Sequence, residues 1–497
     1  MRYSIAMTGE IEATMLDHLL REDGQEDVLV ATYVLSTGVE RTTALIRSVI
    51  LPREGERHVH GNASFTSAYI LRAASEARAA GHGLVLLHSH PGGEGWQYLS
   101  GMDRDTESEY ERVARTATKM PLIGMTLGGG DAAWSARFWF DRTKPTWAES
   151  VRSVSPTLRV TWNDELRPVP RVTASQERTV SSWGDRAQGS ICRLRVLIVG
   201  GGSVGLDVAQ RLAATGLLTV GVMDYDAVET RNLDRMIGAT RLDAALGRSK
   251  VAVAARLMKS AATATIMDIR RHEVSITDPE GVGIALDYDV IFSCVDRPWP
   301  RAVLNGIAYA DLIPVIDGGI ALDTFDDGRL RNGIWRAHTL VPGRPCMGCI
   351  GQLVAGDVSL DKLGLLDDPE YIKGANREAP SRQNVAALSA SVSSALLAQF
   401  VSLTAHPGRR GVSAPLRYIL STHTLEHSKA TSGPYCPYEN ATTKGDRRTP
   451  IAEHRDDWRA IVTARAAKKH SLRLRTAGKL ESLVQRVTNR LIGQELN

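Results

Sequence analysis

Two stretches of the chain carry residue types at spacings that imply chemistry. In the first, an apolar run, Leu84-Val-Leu-Leu87, leads into His88-Ser89-His90-Pro91. Residues i and i+2 of a strand face the same way, so both imidazoles reach one ion, and Pro91 ends the strand. Asp103 follows thirteen residues after His90, with Ser100 one helical turn before it. Two histidines and a carboxylate leave the fourth position of a zinc ion open to water. A carboxylate must then take a proton from that water. Glu26, at the entry to the apolar strand 28–35, is our choice, with Glu10, Glu12, Glu22 and Glu40 as alternatives.

In the second, Arg195-Val-Leu-Ile-Val199 runs into Gly200-Gly-Gly202-Ser-Val-Gly205 and a helix expected over 206–215. Such a turn offers backbone amides and a helix N-terminus to phosphate. By itself it serves NAD as readily as ATP, and the acidic strand end Asp224-Tyr-Asp226 fits a ribose in either. The following residues narrow the choice. Asn232 and Arg235 lie eight and eleven residues past Asp224, Lys250 closes Gly247-Arg-Ser-Lys250, and Asp296 ends the strand begun at Ile291. Two cations, an amide and an extra carboxylate suit ATP with Mg²⁺ better than a dinucleotide.

Glu26, His88-x-His90-Pro91 and Ser100-x-x-Asp103 together resemble the JAB/MPN (JAMM) metalloproteases, zinc isopeptidases that cut after the C-terminus of ubiquitin or ubiquitin-like proteins. The resemblance implies Glu26 as general base, His88, His90 and Asp103 as ligands of a catalytic zinc, and Ser100 as a polar group near the tetrahedral intermediate. Ser100 stands nine positions past Pro91, about two more than the usual pattern, with Gly92, Gly93 and Gly95 in the insert. The insert is expected to reshape the substrate groove and to leave the ligands in place.

The set from Gly200, Gly202 and Gly205 through Asp224, Asn232, Arg235, Lys250 and Asp296 resembles the ThiF/MoeB/ubiquitin-activating adenylyltransferases. That resemblance implies Asp224 on the ribose, Asn232, Arg235 and Lys250 on the phosphates and Asp296 on Mg²⁺. An arginine from a partner subunit often completes such sites; Arg178, six residues before Gly184, fits and implies a homodimer. Cys346-Met-Gly-Cys349 has the spacing of half a structural zinc site. The family usually adds a second cysteine pair, of which only Cys436 exists here. The fourth ligand is then Glu439, His423 or His427, or the site is degenerate. Cys192 and Cys294 sit in or beside apolar strands as inert core residues. With no cysteine over 354–390, the acyl-adenylate is expected to pass to a thiol on a partner protein, with Cys436 the exception if its zinc site is degenerate.

These residues need two α/β units to hold them. The first 150 residues alternate apolar strands with an alanine-rich helical stretch, 68–80, which predicts a JAB/MPN-like α/β domain. Three prolines, Pro156, Pro168 and Pro170, suggest a linker over 151–171. Past Arg193 the pattern of strand, glycine turn and helix repeats, predicting a Rossmann-like parallel sheet over 172–440. The remaining 57 residues hold 13 Lys plus Arg against 6 Asp plus Glu, so 441–497 reads as a basic tail. Its Trp458, Ile461 and Val462, then Leu472, Leu474, Leu480, Leu483, Val484, Val487 and Leu491, predict a docking or dimerising amphipathic helix.

Composition sets the outer bounds. Of 497 residues, 43% are hydrophobic and 23% charged, which excludes a disordered or collagen-like chain. A net charge of +4 gives no general argument for nucleic acid or a membrane surface, and a tail poor in aromatics argues against nucleic-acid contact. Five cysteines are too few for a disulfide framework, and no secretory signal is visible, so a cytoplasmic protein is expected. The uncharged stretch 383–408 is long enough to span a bilayer, but its serines, Asn384 and Gln399 read as a buried helix. Both resemblances converge on the C-terminus of a ubiquitin-like or sulfur-carrier protein. The expectation is a bifunctional enzyme of a bacterial ubiquitin-like system, one half a peptidase and the other an ATP-dependent activator, with a conjugating enzyme as possible thiol donor. The alternatives are sulfur-carrier activation for cofactor or cysteine synthesis, and a non-enzymatic scaffold with one decayed half.

Overall fold

A computed structural model describes residues 1–60, 62–367 and 383–468. Strands β1 (Arg2–Thr8), β2 (Val28–Thr37), β3 (Arg41–Ile50), β4 (Arg57–His60), β5 (Asn62–Phe65), β6 (Gly83–His90), β7 (Leu122–Gly128), β8 (Ala133–Trp139), β9 (Thr146–Trp147), β10 (Ser150–Val154) and β11 (Leu158–Trp162) make up the N-terminal half. Nine of them form one mixed sheet in the order β11-β10-β1-β3-β2-β6-β7-β8-β9, and β4 pairs only with β5. Strand β2 lies at the centre and is apolar on both faces, as a strand covered on both sides must be. Its Leu29 and Ala31 pack with Met15 and Leu19 of the helix Gly9–Leu19, while Val30 packs with Tyr69 and Ala73 of the helix Ser67–Ala80.

The second half holds β12 (Arg195–Val199), β13 (Thr219–Met223), β14 (Asp268–His272), β15 (Val290–Ser293), β16 (Val315–Thr324), β17 (Leu330–Leu340), β18 (Leu416–Ile419) and β19 (Thr424–His427). Their order is β14-β13-β12-β15-β16-β17-β18-β19. The first five are mutually parallel and the last three add antiparallel pairs. From β12 the chain first builds outward through β13 and β14, then returns to β15 on the other side. That reversal opens a crevice beyond the carboxyl ends of β12 and β15, the usual ligand position in such sheets. The helix Ala386–Ala405 is, among the described residues, the one long and apolar enough to cross a membrane, and it packs Leu388, Val392, Leu396 and Phe400 into the core shared with β16 and β17.

Two expectations need correction. The stretch 151–171 does not begin as a linker: β10 pairs in parallel with β1 and β11 returns antiparallel to it, burying Val151, Val154, Leu158 and Trp162. The prolines misled because Pro156 sits in the tight turn between these strands. The first domain therefore runs past Ser150 to Trp162. The basic tail is also not helical from its start. Residues 439–456 contain two short 3₁₀ turns, Glu439–Ala441 and Gly445–Arg447, and otherwise irregular chain, and a helix begins only at 457. Leu472 through Leu491 lie outside the described residues.

The two halves are welded together. Ala6, Val34, Leu45, Val154, Leu158 and Trp162 belong to the same apolar cluster as Val196, Ile198 and Phe292. Beside it Asp289 is fully buried, pairs with both Arg41 of β3 and Arg152 of β10, and accepts the Arg195 amide at 2.9 Å. Arg195 meets Glu149 at 2.5 and 2.9 Å. The three guanidiniums hold the Asp289 carboxyl well below the usual range despite its burial. A second strap comes from the tail: Asp446 accepts the Thr37 amide and hydroxyl at 2.9 and 2.7 Å, and Arg448 donates to Asp311 at 2.6 Å.

Candidate functional sites

The metal-binding reading rests on the end of β6. Strand alternation turns His88 and His90 one way and Ser89 the other. Ser89 accepts the Asp27 amide on its hydroxyl (3.0 Å) and donates its own amide to the Asp27 carbonyl (3.1 Å). This cross-strand lock sets Glu26, the next residue back, beside the histidines. Ser100 caps the helix Gly101–Thr118, and Asp103 completes a capping box: its amide donates to Ser100 Oγ at 3.2 Å and its Oδ2 accepts the Ser100 amide at 3.0 Å. The serine hydroxyl thus orients Asp103 in this structure rather than standing free. His88 Nε2 lies 3.6 Å and His90 Nε2 3.9 Å from the Asp103 carboxylate.

Candidate ligand atoms of His88, His90 and Asp103 all fall within 4.8 Å of one another. Two neutral imidazoles and one carboxylate suit zinc with an open coordination position. Burial, then the nearby Arg137 guanidinium, pushes the His88 imidazole down to about 3, so it is neutral and able to ligate. Burial raises the Glu26 carboxyl and Asp103 adds to the rise, while His90 opposes it. Among the alternative bases, Glu12 is held by Trp134 and Arg159, and Glu40 by Arg2 and Arg270. Glu26 is the carboxylate whose field is shared with the triad.

The nucleotide reading converges on the crevice of the second sheet, a cleft of about 490 Å³ lined by Gly200, Gly202, Asp224, Asn232, Arg235, Lys250 and Asp296. Gly205 lies beneath it. A Cβ there would stand 1.9 Å from the Gly200 carbonyl, so only glycine lets the helix Ser203–Thr215 start this close to the strand. Gly200 has φ +100°, the left-handed region that favours glycine. Asp224 takes the amides of Gly201 and Asp226 at 2.8 and 2.7 Å. Lys250 Nζ sits 2.7 Å from Asp226 and 3.6 Å from Asp224. Burial disfavours its ammonium, but the two carboxylates outweigh burial and its pKa ends raised.

Other groups rest on neighbours. Asn232 Oδ1 accepts the Glu229 amide at 3.0 Å, and Arg235 donates to Asp234 and the Arg231 carbonyl. Arg178 lies exposed on the helix Glu177–Trp183 and does not line this chain's own cleft. Sequence reading missed Trp299, Arg301, Asn384 and Arg455, which also line the cleft from later helices and the tail. Arg455 carries no local motif: it arrives because Trp458 packs indoors and donates to Asp278 at 3.4 Å. Cys294 also lines the cleft rather than standing apart in the core. Its thiol is raised by burial and by Asp317, the wrong direction for a nucleophile.

The cysteine cluster gains its fourth member from tertiary structure. Cys346 Sγ lies 3.7 Å from Cys349 Sγ and 3.3 Å from Cys436 Sγ, and Cys349 Sγ lies 3.7 Å from Glu439 Oε1. His423 instead bonds Tyr418, and His427 sits on the exposed edge strand β19. Burial pushes the Cys346 thiol up to about 12, and a divalent cation there would deprotonate it. Three thiolates and a carboxylate at these separations fit tetrahedral zinc.

Comparison with known proteins bears on the second half. Residues 174–403 match the ThiF family. The adenylyltransferase and sulfurtransferase MOCS3 of Caenorhabditis briggsae is 29% identical over 177 residues, 35% of this chain and 41% of the relative. The adenylyltransferase and sulfurtransferase uba4 of Ogataea parapolymorpha is 32% identical over 139 residues, 28% of this chain and 35% of the relative. The chain thus spans well under half the length of these curated relatives. The crystal structure of E. coli MccB with MccA-N7isoASN aligns over 54% of this chain and 75% of that one, with 17% identity and a TM-score of 0.43. The ThiF match, over residues 174–403, spans the glycine turn, Asp224, Asn232, Arg235, Lys250 and Asp296 that line this cleft.

Proposed function

We propose that this protein uses ATP to adenylate the C-terminal carboxylate of a small sulfur-carrier protein. The observation that carries the reading is convergence: a glycine turn, Asp224, Asn232, Arg235, Lys250 and Asp296, spread over nearly a hundred residues, line one cleft at the switch point of the sheet. In the reaction a carboxylate oxygen of the carrier bonds to the α-phosphorus of ATP, the bond to the bridging oxygen breaks, and pyrophosphate leaves. Lys250 and Arg235 neutralise charge on the phosphates, the amides after Gly201 hold them at the helix N-terminus, and Asp224 binds the ribose. Mg²⁺, when bound at Asp296, supplies further charge neutralisation. The relatives' names favour a sulfur carrier over a ubiquitin-like modifier joined to other proteins. Arg178, on the outer surface, is assigned to the cleft of a second copy in a homodimer.

The acyl-adenylate is passed to a thiol outside this chain. Cys192 is pushed up to about 12 by burial, Cys294 is raised as well, and the other three cysteines cluster with Glu439. A second activity is favoured by a specific observation, the His88-His90-Asp103 triad with Glu26 beside it. We assign to it metal-dependent cleavage of a peptide or isopeptide bond at the carrier's C-terminus, with Glu26 accepting the proton of the attacking water. Zinc, when bound there, supplies Lewis-acid polarisation. ATP–pyrophosphate exchange tests the main reading: exchange should require a carrier with a free C-terminal carboxylate and vanish with the same carrier ending in a carboxamide. Equal exchange with both would refute it.

A further inference from the structure

The loop inserted between Pro91 and Ser100 does more than line a groove. Its Gln97 Oε1 lies 3.3 Å from His90 Nδ1, on the side of the imidazole away from Asp103. The orientation of the carboxamide follows from its other partners. Gln97 Nε2 donates to the carbonyls of Glu94 (2.8 Å) and Gly95 (3.3 Å), so the NH₂ end is occupied and the oxygen must face the histidine. An oxygen there accepts a hydrogen bond, so His90 Nδ1 carries the hydrogen and Nε2 keeps the lone pair that points toward Asp103. Resting on the metal-site reading above, we propose that Gln97 is the positioning residue that fixes the tautomer and ring direction of His90 for metal binding.

The loop is shaped around this contact. The Gly93 and Gly129 amides both donate to the His90 carbonyl at 2.9 Å, and the Gly130 amide donates to the Gly93 carbonyl at 2.9 Å. A Cβ on Gly93 would stand 2.7 Å from Gln97 Oε1, so a side chain there would push the carboxamide away from its present place against the ring. On either side Trp96 and Tyr98 pack on Trp147, with ring centres 6.3 and 5.4 Å apart, and the Gly95 amide donates to Asp131 at 3.0 Å. The two residues by which this loop exceeds the expected spacing thus lengthen a turn that returns a side chain to the back of a metal ligand. Partners of this kind, on the far nitrogen of a ligating histidine, hold the ring and raise its basicity, and losing one weakens metal binding roughly 10–100-fold.

The test is a zinc competition titration of the full chain against a chelator, alongside His88→Ala, whose remaining zinc belongs to the Cys346-Cys349-Cys436-Glu439 cluster. Gln97→Leu should weaken the His88-dependent zinc by about 10–100-fold. Gly93→Ala, which displaces the amide, should do the same. Gln97→Glu keeps an acceptor toward His90 but loses the donations to the Glu94 and Gly95 carbonyls, and should weaken the His88-dependent zinc less than Gln97→Leu, a difference that mere loop packing would not give. Circular dichroism and undiminished ATP–pyrophosphate exchange establish that each variant is folded. Unchanged zinc affinity in Gln97→Leu, or equal losses in Gln97→Leu and Gln97→Glu, overturns the assignment of Gln97 alone. If His88→Ala binds as much zinc as the parent chain, the metal-site reading itself fails.

Discussion

The two sites of this chain are charged in opposite ways. In the cleft of the second sheet each cation has a resident carboxylate: Lys250 rests on Asp226, Arg235 on Asp234, Arg297 on Asp361. At the end of β6 the imidazoles of His88 and His90, Asp103 and Glu26 face one another, with the Arg137 guanidinium engaged by Glu107 and Thr126. In the first arrangement an incoming polyanion would have to displace these carboxylates. The second concentrates acceptors around one point, which only a cation can relieve. The contrast teaches that one polypeptide can keep two polar sites distinct by pairing the cations of one with neighbouring carboxylates and leaving the acceptors of the other facing one another.

The sharpest way to break the comparison is to remove one site's chemistry and read the other. Glu26→Gln should lower peptide release from a carrier precursor by roughly 10²–10⁴-fold, the usual worth of a general base, while ATP–pyrophosphate exchange is unchanged. Lys250→Ala should cut exchange by about 10²–10³-fold and leave the His88-dependent zinc titration where it was. Either variant losing both activities while folded would show that the sites are not independent.

What joins the sites is the buried charge group between the halves. Asp289→Ala leaves Arg41 and Arg152 unpaired in the interior and should cost about 3–5 kcal/mol, measured by urea unfolding, with both activities falling together. The folded Asp289 carboxyl is depressed below its unfolded value, so its contribution is present above the unfolded pKa and lost as pH falls toward the folded one. Asp289→Ala should therefore flatten the acid limb of stability against pH.

A smaller effect sharpens the contrast. Asp226→Asn removes the partner that Lys250 must leave and should lower KM for ATP by about 2–5-fold, in line with a half-exposed ion pair. A raised KM would show that Asp226 instead serves the nucleotide directly.

Legibility followed distance along the chain. His88, His90, Ser100 and Asp103 lie within sixteen residues on one strand, turn and helix, where the periods of two and 3.6 residues dictate which groups share a side. The glycine turn after β12 was legible for the same reason. Glu439 was one of several candidates, because its place opposite Cys346 depends on how 436–448 crosses the domain, which no local period encodes. Strands β10 and β11 were misread because proline content describes the turn at Pro156 and not the open edge of β1 that recruits its neighbours.

By itself, then, the amino-acid sequence determined the two α/β units and which polar residues share one strand end, turn or helix start, because those follow from residue identity and short-range periodicity. Tertiary structure alone decided which glutamate faces the histidines, which carboxylate joins the three cysteines, and that Arg455 reaches the cleft. It also decided that the halves share one core around Asp289. These outcomes turn on strand register and on burial of groups hundreds of residues apart, where the energy of a contact depends on everything packed around it.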